Sequence, residues 1–468
     1  MIGYTAALIN KIRQLLGIDR AIAYTLFSRG WQLVAGFGTV LLVAYSLTPI
    51  QQGFYYTFSS VLALQVFFEL GLTYVVMQFV SHERAHLNWT PQGVLEGDST
   101  AKARLSSLIR LSMKWYAVAS GLLALLLIPA GLLFFGRSTD AALASYWKIS
   151  WIWLVLFTAG NLLVSPVFSV LEGCGLIAEV ARFRLVQDLV AYPVLWICLL
   201  AGGGLLALPF SQTVRIFIAS GWLCIRHRAF LIDQIKFRLP GVAVHWWREV
   251  WPMQWKIALS WMSGYFIFRL FNPVLFAYFG ATVAGQMGMT LTLTGVVTTL
   301  AMPWISTKIP FFGQMVATKD YKSLDHLFFR TASQATAIAI TGGVLLFGAV
   351  VILNVFQIPL SQRMLAPLPF ALFTIVAVVN LIVFAQASYL RAHKKEPFLV
   401  NSIVIGILTA LSAYFLGRAY GAIGMAVGNF FIGGLLSLGW GTWLFVAKRR
   451  EWHVPDKIGK GFAHKSER

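Results

Sequence analysis

The chain has 468 residues, of which 58% are hydrophobic and only 12% charged, at a mean hydropathy of +0.73. Such a composition excludes a soluble globular domain, and apolar stretches longer than about 18 residues recur along the whole length, so the chain is a polytopic membrane protein. The net charge of +20 would suit a nucleic-acid binder, but its distribution reads as membrane topology and attraction to anionic lipid headgroups.

Lys11, Arg13 and Arg20 precede a first apolar run without a small-residue cleavage site, which reads as a retained span and not as a signal peptide. Twelve spans are expected, at about 21–47, 52–80, 111–135, 149–171, 177–200, 204–225, 253–278, 283–307, 331–355, 367–390, 397–417 and 421–446. Thirty of the 37 Lys and Arg then fall on one side: the N-terminus, the even-numbered loops, the tail and the adjoining span ends (Lys114, Arg182, Arg184, Lys256). Four lie on the other (Arg137, Lys148, Arg363, Arg418) and three well inside spans, which predicts that both termini are cytoplasmic. The chain divides into a six-span lobe (1–228), a cytoplasmic linker (229–252), a second six-span lobe (253–446) and a basic tail (447–468).

Five strongly ionisable residues sit well inside spans: Arg29, Glu69, Asp188, Arg215 and Arg269. Such residues are expensive in lipid and mark a transport path or a buried partner. Span 1 carries Arg29, Gln32, Gly36 and Thr39 on one face. Span 2, QGFYYTFSSVLALQVFFELGL, carries Gln65, Glu69 and Thr73 on one face. Counted at 1.5 Å per residue, Arg29 and Glu69 lie roughly 12 and 16 Å from the cytoplasmic ends of their spans, close enough in depth for an ion pair. That pair is either structural or part of ion coupling. Asp188 has two candidate partners, Arg184 one turn before it and Arg215 on the next span.

The inner connections at 81–110 and 227–251 are long, and LIDQIKFRLPGVAVHWWREVW reads as an interfacial segment with Trp246, Trp247 and Trp251 at headgroup level, or as a plain linker. In span 7, FRLFNPVLF gathers Arg269, Asn272 and Pro273 at an expected bend, with Tyr265 and Asn272 on the arginine's face at i−4 and i+3. No acid matches Arg269 in depth, so its guanidinium faces water or an anion, or else is satisfied by backbone carbonyls at the bend. Span 8 opens on VAGQMGMTLTLTGV, a weak echo of QQGFYYTFSSVLAL in span 2, with Gly53 and Gly285 in matching places. Six spans per lobe is an even number, so the lobes are parallel repeats about an axis along the membrane normal. Thr290, Thr294 and Thr298 form a stripe fit for a wet cavity or a tight helix contact. Gly424 and Gly428 form a close-packing face in the last span.

All eight histidines lie on the expected cytoplasmic side, which leaves no histidine proton relay in the membrane. The three cysteines form neither a disulfide framework nor a metal site, and no catalytic or nucleotide-binding motif occurs, so no cofactor and no enzyme activity are expected. The run QQGFYYTFSSVLALQVFFELGLTYVVMQFVSHE resembles the second-span signature of Wzx-type polysaccharide flippases, of the superfamily shared with MATE antiporters and lipid II flippases. FGATVAGQMGMTLTLTGVVTTLAMPW and the following KIPFFGQMVATKDYKSLDHLFFR are similar to the eighth span and loop of those proteins.

The resemblance implies an all-α fold, twelve helices in two parallel six-helix lobes around a central cavity, working by alternating access. It implies a polyprenyl-diphosphate-linked oligosaccharide as cargo, the repeat unit of an O-antigen, capsule or exopolysaccharide, in a bacterial inner membrane. Polymerase and export proteins of the same pathway would be partners. Arg29 and Arg269, with Arg215, Asn272 and Tyr265, are then the expected cavity residues, and Glu69 and Asp188 an ion-coupling or structural set. The alternatives are a cation-coupled multidrug antiporter of the same superfamily and a membrane glycosyltransferase or polymerase. A major-facilitator protein would also have twelve spans, but its glycine motif after span 2 is replaced here by SHERAHLNW.

Overall fold

The computed structural model describes residues 20–393 and 395–453. The basic N-terminal segment and most of the basic tail, residues 1–19 and 454–468, lie outside the described residues, as does Lys394. Among the described residues nine helical runs are long and apolar enough to cross a membrane. They become ten when Pro49–Glu69 and Leu72–Arg84, bent by 43°, count as one broken span.

Two of these runs double back. Phe271–Ala301 contains Gly280 at φ 83°, ψ 176°. In a straight helix Asn272 and Gly288 would stand about 24 Å apart, yet a Cβ on Gly288 would lie 2.8 Å from Asn272 Nδ2. Leu399–Asn429 turns in the same way at Gly421 (φ 60°, ψ −142°), and a Cβ on Gly428 would overlap Ser412. Only glycine adopts these angles without strain. The spans therefore number twelve, in two six-helix lobes. Gly424 and Gly428 do serve close packing, against Leu416 and Ser412 of their own hairpin.

Spans 1 to 6 are Arg20–Ser46, Pro49–Arg84 with its break, Ser99–Gly136, Trp147–Gly173, Ile177–Leu200 and Ala207–Arg226. Span 7 begins with Trp251–Phe268, breaks at Arg269 and continues from Phe271 to the turn at Gly280. Span 8 runs from that turn to Ala301, with short helices Pro303–Ser306 and Ile309–Ala317 below it. Spans 9 and 10 are Tyr321–Val355 and Pro367–Arg391; span 11 runs from Leu399 to Gly421, and span 12 from there to Trp452 through a π-helical stretch, Phe430–Leu436.

Spans 3 and 9 begin ten or more residues before their expected starts at 111 and 331. The extensions are polar, so hydropathy does not register them, but each has a capping acid. Asp98 accepts from the Thr100 and Ala101 nitrogens at 3.2 and 3.1 Å, and Asp320 from the Ser323 nitrogen at 3.1 Å. A small antiparallel hairpin, β1 (Leu87–Trp89) and β2 (Leu95–Gly97), fills the connection from span 2 to span 3. The linker folds onto the extension of span 3: Arg104 bridges Glu83 (2.8 Å) and Glu249 (2.6 Å), and Lys102 pairs with Asp233 (3.0 Å). Trp247 is exposed, as the interfacial reading expects, but Trp246 stacks on Trp115 at 5.7 Å and belongs to the packing instead.

The two lobes meet unevenly. One apolar core runs through the first lobe and continues, by way of Phe276, Met287, Phe370 and Met425, into the second lobe at the face opposite the termini. A separate core around Phe312, Phe328, Tyr389 and Phe445 fills the second lobe's half nearer the termini. The lobes are thus fused at the far face and part toward the termini face, where the seam between spans 2 and 7 still joins them through Phe67 and Tyr265.

Candidate functional site

A cavity of about 850 Å³ lies between the lobes, lined by spans 1, 2, 5, 7, 8, 10 and 12. Its far end is closed by contacts across the lobes. Gly53 and Gly285, the matched glycines of spans 2 and 8, pack backbone to backbone: a Cβ on Gly285 would lie 2.9 Å from the Gly53 nitrogen, and one on Gly53 would overlap the Ala281 carbonyl oxygen. Gln52 Nε2 donates to the Gly285 oxygen (3.0 Å) and the Arg363 oxygen (2.8 Å). From the first lobe, Asp140 Oδ2 accepts from the Ala281 nitrogen at 2.9 Å, capping the first turn of span 8. Phe276 of the second lobe inserts among Phe54, Phe134 and Phe135 of the first, at centroid distances of 4.9 to 5.5 Å. From this seal the cavity runs toward the termini face, as far as Arg29, Met302 and Phe384.

The lining mixes polar groups with a larger apolar surface and carries one sign of charge. Arg29, Gln32, Gly36 and Thr39, the shared face that helical spacing gives span 1, all line it. Arg269 lines it from the break in span 7, where the helix ends at φ −120° and releases the guanidinium from a lipid-facing or packed position. Both arginines are exposed to the cavity, and neither makes an ion pair or hydrogen bond among the described residues. The lining contains no Asp, Glu or Lys among the described residues. Counted from the far ends of their spans, Arg269 stands about 16 Å and Arg29 about 26 Å deep, one below the other.

Between and above the arginines the wall offers uncharged polar groups. Asn272 and Asn429 each leave a buried Oδ1 without a partner among the described residues, and so does the Tyr56 hydroxyl. Thr292, Thr294, Thr298 and Thr299 donate their hydroxyl hydrogens to carbonyls of their own helix, at 2.8 to 3.0 Å. That leaves threonine lone pairs facing the cavity as acceptors. Thr290, the third member of the expected stripe, is instead buried and accepts from the Leu365 nitrogen at 3.1 Å.

Several expected placements are corrected. Glu69 does not pair with Arg29. It accepts from Thr73 Oγ1 at 2.6 Å and from the Tyr116 hydroxyl at 3.4 Å, facing span 3. The reason is the break just after it: Leu70 and Gly71 both have left-handed backbone (φ 50° and 65°), which turns the helix away from the register that a continuous span would keep. Tyr265 keeps its helical place one turn before Arg269, whose nitrogen donates to the Tyr265 oxygen at 2.8 Å, but its ring is buried in the seam against Phe67 and does not line the cavity.

Arg215 is also absent from the lining. It is committed to Asp188 at 2.6 Å and lies against the Tyr192 ring at 5.7 Å. Arg184, the other candidate for Asp188, pairs with Glu172 at 3.1 Å. The second Asp188 oxygen accepts from Gln32 Nε2 at 2.9 Å, so this pair buttresses a cavity residue from behind. Tyr55, Tyr56, Asn380 and Asn429 line the cavity and were not singled out from sequence; the polar residues of span 12 and the tyrosine pair of span 2 were the available signal.

No family model matches the chain, and no curated protein matches it. Solved structures do. An inward-facing multidrug resistance MATE family transporter of the MOP superfamily superimposes with a TM-score of 0.59 at 14% identity, over 92% of this chain and 98% of that one. The lipid II flippase MurJ, inward closed, gives 0.59 at 13% over 92% and 90%. The MATE multidrug transporter DinF-BH, in a ligand complex, gives 0.59 at 12% over 93% and 97%. The fold is that of MATE and MurJ. These neighbours are described as transporters and a flippase, and the shared fold here encloses a cavity whose lining, among the described residues, is charged only by two guanidinium groups.

Proposed function

We propose that the protein is a flippase that carries a polyprenyl-diphosphate-linked oligosaccharide from the cytoplasmic to the outer leaflet of a bacterial inner membrane by alternating access. The observation that carries this reading is the cavity lining: among the described residues, two unpaired arginines, no carboxylate, and hydroxyl and amide side chains set among apolar ones. A diphosphate is a multidentate anion, which guanidinium groups recognise through paired hydrogen bonds. Sugar hydroxyls are donors and acceptors together, suited to the hydroxyl and amide side chains along the wall. Carrying such a headgroup through about 30 Å of hydrocarbon unaided is prohibitive, and a polar cavity removes most of that desolvation cost. The resemblance of span 2 to Wzx-type flippases and the MurJ neighbour support the same class of cargo.

A cation-coupled antiporter, the alternative, needs an acid where the cation or proton is exchanged. The nearest acid behind the wall is Asp188, already engaged by Arg215 and Gln32. The positive-inside count supports cytoplasmic termini, which makes the described cavity inward-facing.

The test is Arg269→Ala at native expression, with membrane level checked. Loss of one charge-assisted contact of about 1.5–3 kcal/mol is expected to cut glycan export roughly 10- to 100-fold, with Arg269→Lys retaining part of it. Normal surface glycan in Arg269→Ala would refute the assignment.

A further inference from the structure

A second recess of about 520 Å³, sharing no residue with the central cavity, opens on the first lobe between span 3 and the linker helix Arg228–Lys236. It is lined by Arg110, Met113, Lys114, Ile235 and Arg238, mostly through their apolar atoms; three of these residues carry a cation and none an acid. We propose that this recess binds the phosphate headgroup of an anionic phospholipid in the leaflet on the termini face.

Three observations support the assignment. First, the recess is built and held. Arg110 and Lys114 stand one turn apart on span 3, and Arg110 Nη1 donates to the carbonyls of Phe237 (2.6 Å) and Gln234 (3.3 Å), fixing the linker beside it and bringing Arg238 to the same opening. The nearest acid, Asp233, is turned the other way and occupied by Lys102 and by Gln234 Nε2 at 3.0–3.1 Å. Three neighbouring cations without a counter-charge repel one another, and an anion relieves that repulsion.

Second, the depth is that of headgroups. Counted from Gly136 at the far end of span 3, Lys114 lies about 33 Å and Arg110 about 39 Å along the helix, against a hydrocarbon core of about 30 Å and a bilayer of about 40–45 Å with its headgroup regions.

Third, the surroundings favour a lipid over a soluble anion. Ile232 and Ile235, at i and i+3 of the linker helix, and Leu239 just beyond its end are all exposed beside the basic residues. Exposed apolar side chains next to cations are the pattern of a segment lying in the interface, with its apolar groups toward acyl chains.

Lys114 and Arg238 make no hydrogen bond among the described residues, so both can be changed without breaking the scaffold. The purified full chain in neutral detergent would be titrated with phosphatidylglycerol, phosphatidylcholine or inorganic phosphate while its thermal midpoint is followed. Phosphatidylglycerol is expected to raise the midpoint saturably, and the other two to leave it in place. In Lys114→Gln/Arg238→Gln the concentration for half-maximal effect should rise at least tenfold, with the lipid-free midpoint unchanged. A matched pair elsewhere on the same face, Lys319→Gln/Lys322→Gln, should behave as wild type. The proposal is overturned if the Lys114/Arg238 variant responds as wild type does, if phosphatidylcholine is as effective, or if inorganic phosphate reproduces the effect.

Discussion

Asp140 holds the far gate from the opposite lobe. It belongs to the connection between spans 3 and 4, yet its carboxylate accepts from the Ala281 nitrogen at 2.9 Å and so caps span 8 of the other lobe. The bond cannot survive separation of the lobes at that face. Asp140→Ala removes a helix cap worth about 0.5–2 kcal/mol and a favourable charge at a helix N-terminus. The side chain is partly exposed, which screens the electrostatic part, so about 1 kcal/mol is the expected net effect on the closed state. That is roughly a fivefold shift of the equilibrium toward far-side opening. The assay is double electron–electron resonance between spin labels on Thr139→Cys and Gln362→Cys, exposed positions on the two lobes at the far face, in a background without the native cysteines. The longer-distance population should grow about fivefold relative to the closed one in Asp140→Ala. Superimposable distance distributions would show that the cap does not couple the lobes.

Gly53→Ala should act on the same equilibrium more strongly, since its Cβ would overlap the Ala281 carbonyl and force spans 2 and 8 apart; the same label pair reads it, and unchanged distances would contradict the packing argument. Asp188→Asn leaves Arg215 without its partner, at a cost of about 3 kcal/mol for a buried pair. A lower thermal midpoint, partly restored by adding Arg215→Gln, is expected if the pair is structural, and a double variant no better than the single one would argue against it. Stability should also fall on acidification. Burial lowers the pKa of His227, His393 and His453, all outside the spans. Their stabilising contribution is therefore complete above the ordinary histidine value of 6.5 and is lost as pH falls through the lower folded values. Asp325, 3.8 Å from His453 Nδ1, opposes the lowering at that ring without overcoming it. Thermal midpoints at pH 7.5 and 5.5 should differ less in His393→Asn/His453→Asn than in wild type, and equal differences would exclude these histidines.

Charge placement and apolar run length were enough to read the twelve spans and their pairing into lobes, because both are set by the bilayer and need no tertiary knowledge. The bend at Arg269–Pro273 and the cavity face of span 1 were legible for a similar local reason: proline chemistry in one case, helical spacing in the other. What failed were inferences that crossed a helix break. Glu69 was matched to Arg29 by depth alone, and the left-handed pair Leu70–Gly71 then turned it toward Tyr116. Tyr265 failed differently: its helical spacing from Arg269 holds, but the packing of spans 2 and 7 buries its ring against Phe67. Arg215 was one of two candidate partners for Asp188 and is the one that pairs with it, but their position behind Gln32 depends on the packing of spans 1, 5 and 6, which no single helix encodes. Asn429 was missed because an asparagine in a span carries no sign of its place until the hairpin at Gly421 brings it to the centre.

The aromatic plug at the far face bears on a question of leakage. A cavity of about 850 Å³ would, if it ran through, short-circuit a potential across the membrane. Phe54, Phe58, Phe135, Trp151 and Phe276 are each at most 2% exposed and pack edge to face or tilted at about 5 Å. The rings offer water no hydrogen-bonding partners, and the polar groups beside them, Gln52 and Asp140, are engaged with the Gly285 and Arg363 carbonyls and the Ala281 nitrogen. The bulk of these side chains is thus an insulator's thickness, and trimming Phe276 to alanine would be expected to show first as proton conductance in vesicles.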